Sequence, residues 1–173
     1  MLSITKERFK NYFADDYSNS VCIHIRLGDF TSASNERLSV GADSTALPVK
    51  WYINVLTSLK QILPSNVRYY VFSDEEDEVL KEILSLDGVE RKYYGSAISD
   101  MLAMSQSKLI VHTWSTFALW ARFLGNISGI TYPTFIHYQI CDEDMTHFTF
   151  GSIDGEISDE YRYRIQKVMD FTK

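Results

Sequence analysis

Apolar, often β-branched runs alternate along the chain with segments in which apolar residues recur every three or four positions. That order is the signature of parallel strands joined by crossover helices, so an α/β fold is expected. Residues 21–27 (VCIHIRL) read as the first strand, followed by a polar loop rich in Ser, Asn and Gly over 28–46. Pro48 opens a helix whose apolar face is Val49, Tyr52, Ile53, Leu56, Leu59 and Leu63, and Pro64 ends it. Residues 67–73 read as the second strand, and Asp74 is placed to cap a helix that turns Val79, Leu80, Ile83 and Leu84 inward. The third strand is expected at 89–93. Ser99 caps a helix through Met101, Leu102 and Met104; residues 109–112 form the fourth strand; Ser115 caps the next helix, which Gly125 terminates. A fifth strand falls at 130–132. From Thr134 to about Gly155 the periodicity is lost and a loop region is expected, before a last helix over 158–171. With no internal repeat, low-complexity tract or linker, one domain over 1–173 is the simplest count, with its core in 21–133 and a C-terminal loop and helix in 134–173.

Composition narrows the classes of function. A chain of 173 residues, 45% apolar and 14% aromatic, can bury a sizeable core and is not disordered. Its net charge of −6 argues against broad nucleic-acid binding, which needs a basic face to displace counterions. Cys22 and Cys141 stand far apart in no metal-ligand spacing, which points to a reducing compartment rather than a disulfide framework or a zinc site. No apolar run approaches the roughly 20 residues of a membrane span, and the N-terminus lacks a signal-peptide core. A cytoplasmic chain is expected, and peripheral attachment to the inner membrane or a lipid-linked substrate stays compatible with it.

Strand one carries the most chemistry. Its alternation sets Val21, Ile23, Ile25 and Leu27 on one face and Cys22, His24 and Arg26 on the other. Central parallel strands are usually apolar on both faces, and a His and an Arg followed at once by Gly28 and Asp29 fall where open α/β sheets bind ligands. A guanidinium gives two parallel hydrogen bonds to phosphate oxygens, and a glycine permits close backbone approach. The alternative is structural: Arg26 paired with Asp29, and His24 a satisfied core histidine. A second candidate is the strand-to-helix junction holding Ser115, Thr116 and Phe117, because free N–H groups and hydroxyls at a helix start suit an anion. A plain N-cap explains Ser115 equally well. Ser73 and Asp74 bring a carboxylate to the same rim, able to accept from a purine or only to cap a helix. Glu75, Glu76, Asp77 and Glu78 fit a solvated first turn better than a metal site, and Asp100 likewise reads as a structural first-turn acid. Met101, Leu102, Met104, Trp120, Phe123 and Leu124 have the spacing of core residues, and the acidic stretch with Asp142, Glu143, Asp144 and His147 reads as a solvated loop.

Four blocks, in order and spacing, resemble one family. His24-Ile25-Arg26-Leu27-Gly28-Asp29-Phe30 is similar to its His-x-Arg-Arg-Gly-Asp motif, and Val71-Phe72-Ser73-Asp74 to its second strand end. Ser99-Asp100-Met101 and Ser115-Thr116-Phe117-Ala118-Leu119-Trp120-Ala121 resemble its Asp-Met and Ser-Thr-Phe-Ser-x-Trp-Ala segments. The chain thus resembles the C-terminal half of α-1,2-fucosyltransferases and their bacterial polysaccharide-synthesis relatives, and more distantly the α-1,6 and protein O-fucosyltransferases. The resemblance implies a Rossmann-like domain, a parallel sheet of about five strands flanked by helices, as in the C-terminal domain of a GT-B glycosyltransferase. It implies GDP-fucose as donor, no obligatory metal or other cofactor, and transfer to a glycan hydroxyl with inversion. Arg26 would then hold the β-phosphate and face the chemistry, Asp74 the guanine, and Ser115 and Thr116 the pyrophosphate. His24, Gly28, Ser73 and Phe117 would complete the donor site, and Asp29, the acid nearest the motif, would be the general base. Two departures stand out. Leu27 replaces a frequent second Arg, and only a short segment precedes strand one where a GT-B enzyme carries its acceptor-side domain. An acceptor-side domain or partner glycosyltransferase chain is therefore expected as a partner beside the nucleotide sugar and the glycan acceptor. A non-catalytic nucleotide-sugar module, or a transferase for another nucleotide sugar, are the alternatives.

Overall fold

The structure, a computed structural model, describes residues 14–135 and 148–169. Its frame is one six-stranded, all-parallel sheet. The strands are β1 (Ser20–Ile25), β4 (Arg68–Ser73), β5 (Val89–Arg91), β6 (Leu109–His112), β7 (Ser128–Thr131) and β8 (Phe148–Phe150), in the order β5-β4-β1-β6-β7-β8. Every residue of β1 is buried, as a strand with neighbours on both edges and helices on both faces requires. The chain steps outward from β1 through β4 to β5, then returns to the other side of β1 as β6. The strand order therefore reverses between β1 and β6, the topological switch point beside which open α/β sheets hold their ligands.

Two helical layers cover the sheet. On one face, α2 (Val49–Ile62), α3 (Asp77–Leu84) and α6 (Asp159–Met169) pack an aliphatic core on Val21, Ile23, Ile25, Val71 and Val111. Pro48 caps α2, where a missing N–H costs nothing, and Trp51 and Val55 join the expected residues of its buried face. On the other face, α4 (Ala97–Met104) and α5 (Thr116–Gly125) lie on Cys22, Tyr70, Phe72 and Ile110. Small Ala103, Ala118 and Ala121 are fully buried there and bring the two helices close to the sheet. Burial pushes the Cys22 thiol up to about 12, so it serves as a small apolar group.

Several local expectations are corrected. Asp74 does not cap α3, whose N-cap is Glu76; its carboxylate is drawn instead to two backbone N–H groups after β1. Ser96 rather than Ser99 caps α4, its hydroxyl accepting from Ser99 N–H. Asn126, at φ 48°, supplies the left-handed residue that ends α5. Residues 28–46 are not a plain loop but hold a two-stranded parallel sheet of β2 (Thr31–Ser32) and β3 (Thr45–Ala46) around α1 (Asn35–Ser39). A sixth strand, β8, occupies part of the stretch expected to be loop; three residues are too few for an alternation signal, and β7 supplies the pairing. Trp120 and Phe123 are 55% and 49% exposed and pack edge-to-face on each other rather than in the core, while Arg122 between them is buried and donates to Ile127 O. Asp142, Glu143, Asp144, His147 and Cys141 lie outside the described residues. Among those described, no helix is long and apolar enough to cross a membrane.

Candidate functional site

The site begins where β1 runs out. Beyond Ile25 the backbone turns, and Asp74 at the end of β4 holds that turn: its Oδ1 accepts from Leu27 N–H at 3.1 Å and its Oδ2 from Gly28 N–H at 2.9 Å. The approach is so close that a Cβ on Gly28 would stand 2.5 Å from that Oδ2, so glycine is needed here for the chain's own carboxylate. Arg26 completes the cluster, with Nη1 3.2 Å from Asp74 Oδ2 and Nη2 2.8 Å from Asp29 Oδ1. Its guanidinium also lies over the Phe30 ring, 5.8 Å from the centroid.

The pairing of Arg26 with Asp29 foreseen as a structural alternative is thus present, but the two carboxylates are not equivalent. Asp29 is 69% exposed, and an ion pair so solvated contributes about 0 to 1 kcal/mol, which an incoming phosphate can replace. Asp74 is only 21% exposed and is tied to backbone on both oxygens. Arg26 is therefore braced by one partner and loosely held by the other.

Across the switch point, α5 starts in a different state. Ser115 is its N-cap residue, yet its side chain makes no capping hydrogen bond. The hydroxyl of Ser115, that of exposed Thr116 and the first N–H groups of the helix stand together at a positive dipole end. Phe117 reaches back over β1, its ring 5.3 Å from that of His24. Burial holds the His24 imidazole down to about 4, outweighing the pull of Asp74 in the other direction, and Arg26 adds to the lowering. It is neutral at pH 7, and its Nδ1 has no hydrogen-bond partner among the described residues.

These two halves line one cleft of about 580 Å³ at the carboxyl rim of the sheet. His24, Arg26, Asp29, Ser73, Asp74, Ser115, Thr116 and Phe117 all border it; Gly28 does not. Ser73 contributes less than its position suggests, since its hydroxyl accepts from Glu75 N–H. Tyr93, Trp114 and Ser44 also face the cleft, and no local pattern singled them out. Asp100 does too: a first-turn acid of α4, it accepts from Tyr94 N–H, and burial raises its carboxyl above the usual range against that bond's lowering effect. Its partial burial beside a cleft is a property of the tertiary fold that its helix position could not reveal. The cleft has two characters: Phe72, Tyr93, Ala97 and Asp100 at the β5 end, and Arg26, Trp114, Ser115 and Thr116 at the switch point. Among the described residues no group of three or more His, Cys, Asp or Glu side chains is arranged to hold a metal ion.

The model of glycosyl transferase family 11 matches residues 3–147. An alpha-1,2-colitosyltransferase of Escherichia coli is 33% identical over 119 residues, 66% of this chain and 39% of that protein. Among solved structures, NodZ alpha-1,6-fucosyltransferase from Bradyrhizobium, in a crystal soaked with GDP-fucose, superposes with a TM-score of 0.50 at 16% identity, over 76% of this chain and 44% of that one. At that identity the likeness is one of fold, and it agrees with the Rossmann-like strand order. The chain spans less than half the length of either relative.

Proposed function

Because the chain belongs to glycosyl transferase family 11, we propose that the rim cleft is the donor site for GDP-fucose and that this domain supplies the donor half of an inverting transfer to a glycan hydroxyl. The observation that carries the proposal is that Arg26 and the uncapped start of α5 border the same cleft at the sheet's switch point.

In this reading the diphosphate takes the place of Asp29 on the outer face of the Arg26 guanidinium, while Asp74 keeps its brace. The first N–H groups of α5 and the Ser115 and Thr116 hydroxyls take the remaining phosphate oxygens. The acceptor oxygen bonds to the anomeric carbon from the side opposite the leaving group. The carbon–oxygen bond to the β-phosphate breaks, and GDP departs with the electron pair. Negative charge then grows where Arg26 and the helix start already point, and donors so placed are worth about 10² to 10³ in rate each. Asp29, released from Arg26, is left free to take the acceptor's proton. No metal is required in this scheme, and undiminished transfer in EDTA is the expected result. The guanine falls to the β5 end, with Tyr93 as a platform and Asp100 accepting from its N–H groups. Asp74, with both oxygens already engaged, is a poorer base reader than the resemblance implied.

A second reading differs in the sugar. The colitosyltransferase relative favours a donor of that kind, since colitose is fucose without its 3-hydroxyl. The span of less than half of the relatives also supports an acceptor-side half, or a partner glycosyltransferase chain, as the source of the acceptor contacts. Calorimetric titration of the chain with GDP, UDP and ADP tests the core of the proposal. GDP is expected to bind tightest, and Arg26→Ala to weaken it about 10- to 100-fold with the fold intact. Equal GDP affinity in the variant would overturn it.

A further inference from the structure

Neither Arg26 nor the α5 start distinguishes one sugar from another, because both address phosphate. One residue of the cleft wall is held in a way that its backbone role does not explain. Ser44 sits at φ 52°, and of the described non-glycine residues only Asn126, at a helix end, shares a positive φ. Glycine takes this conformation freely, whereas a serine does so against steric resistance.

The surroundings fix the strained backbone. The carbonyl of Ser44 accepts from Thr31 N–H at 2.8 Å. Buried Thr45 is secured on both sides: its hydroxyl donates to Ala42 O at 2.6 Å and accepts from Arg37 Nε at 3.1 Å, and its carbonyl accepts from the Thr113 hydroxyl at 3.3 Å. Arg37 Nη2 donates to Asp43 O at 2.6 Å. All of these are met by the backbone of residue 44 or by its neighbours. The Ser44 side chain does none of this work; it is exposed and borders the cleft. Residues held by their surroundings in such regions cluster at functional sites.

Its place along the rim gives it a partner. Tyr93 follows β5, Asp74 follows β4, Arg26 follows β1 and Ser115 follows β6, and the bond from Thr113 puts the Ser44 segment at the β6 end of this row. A nucleoside diphosphate sugar with its base at Tyr93 and its phosphates at Arg26 and Ser115 leaves its sugar beside Ser44. We propose that Ser44 is a specificity residue whose hydroxyl reads a hydroxyl of the donor's deoxyhexose, an inference that rests on the donor-site reading above. A serine hydroxyl both donates and accepts, as a sugar hydroxyl does, and a site built on such a bond rejects the analogue that lacks the group.

The test is calorimetry of the chain with GDP and with GDP-fucose, for the parent, Ser44→Gly and Ser44→Ala. Glycine relieves the strain and removes the hydroxyl; alanine removes the hydroxyl and keeps the strain. Both variants are expected to bind GDP within twofold of the parent and GDP-fucose about five- to tenfold more weakly, with the thermal midpoint of Ser44→Gly at or above the parent's. An unchanged ratio of GDP-fucose to GDP affinity in either variant overturns the assignment, as does an equal loss for both ligands. A parent that binds neither ligand removes the donor site itself, and this inference with it.

Discussion

The turn after β1 and the start of α5 face each other across the switch point, and the chain treats them in opposite ways. At the turn every strong polar group has an internal partner: Asp74 takes two backbone N–H groups and Arg26, and Arg26 takes Asp29 as well. At the helix start the N-cap hydroxyl makes no capping bond, and the first N–H groups of a helix have no partner within it. One half of the cleft is paired internally, one guanidinium between two carboxylates; the other presents the positive end of a helix dipole. An anion site built so keeps its charged arm in position without ligand, and it leaves to the ligand only one exposed ion pair to exchange. Substitutions that remove the Asp74 brace should thus register in stability, and substitutions at the helix start in binding alone.

The largest effect expected comes from His24, which lies beneath both halves, against Phe117 and within the fields of Arg26 and Asp74. Its folded value of about 4 lies below the free value of about 6.5. Between those two pH values the unfolded chain binds a proton that the folded chain refuses, so stability falls as the pH drops. The loss through this group reaches about 3 kcal/mol near pH 4, and a pH unit or more above the free value the group contributes almost no slope. Urea unfolding at pH 7 and pH 4.5 checks this. His24→Leu should flatten the acid limb relative to the parent, and identical limbs would show that the imidazole is not buried neutral.

Next comes the brace. Asp74→Ala removes an acceptor from two backbone N–H groups and from Arg26, and a cost of about 2 kcal/mol is expected. Asp29→Ala, which breaks only a solvated pair, should cost less than about 1 kcal/mol. Gly28→Ala should resemble Asp74→Ala, because its Cβ would displace the same carboxylate. Denaturation midpoints of the three variants rank them; an Asp29 variant less stable than the Asp74 variant would invert the comparison.

Much of this was legible in the sequence, for identifiable reasons. The alternation of residues 21–27 placed His24 and Arg26 on one face of a central strand, and strand-end positions brought eight of the nine site candidates to one rim. What escaped depends on contacts distant along the chain. An Asp just after a strand looks the same whether it caps the next helix or braces the neighbouring strand's turn, so the role of Asp74 was decided by the parallel pairing of β1 with β4. Tyr93 and Asp100 gained a face on the cleft only through the position of β5 and α4. In α5 apolar residues occur nearly all round the helix, so period alone could not tell that Trp120 and Phe123 turn outward and Arg122 inward. The short strands β2, β3 and β8 lie below the length at which alternation is visible.

The smallest effect on stability is expected where the comparison is sharpest. Ser115 is largely buried at the cleft and occupies an N-cap position, where removal of a capping serine ordinarily costs about 1 kcal/mol. Because its hydroxyl makes no capping bond, Ser115→Ala should shift stability by less than about 0.5 kcal/mol. The same hydroxyl faces the proposed diphosphate, and a charge-assisted bond lost there should weaken GDP binding about five- to tenfold. Thr116→Val, which keeps the shape of an exposed first-turn residue and removes its hydroxyl, should behave in the same way. Thermal unfolding and GDP titration on the same preparations separate the two effects. A Ser115→Ala chain that loses stability but keeps its GDP affinity would make this serine an ordinary cap, and the two halves of the cleft would then both be occupied with holding the fold together.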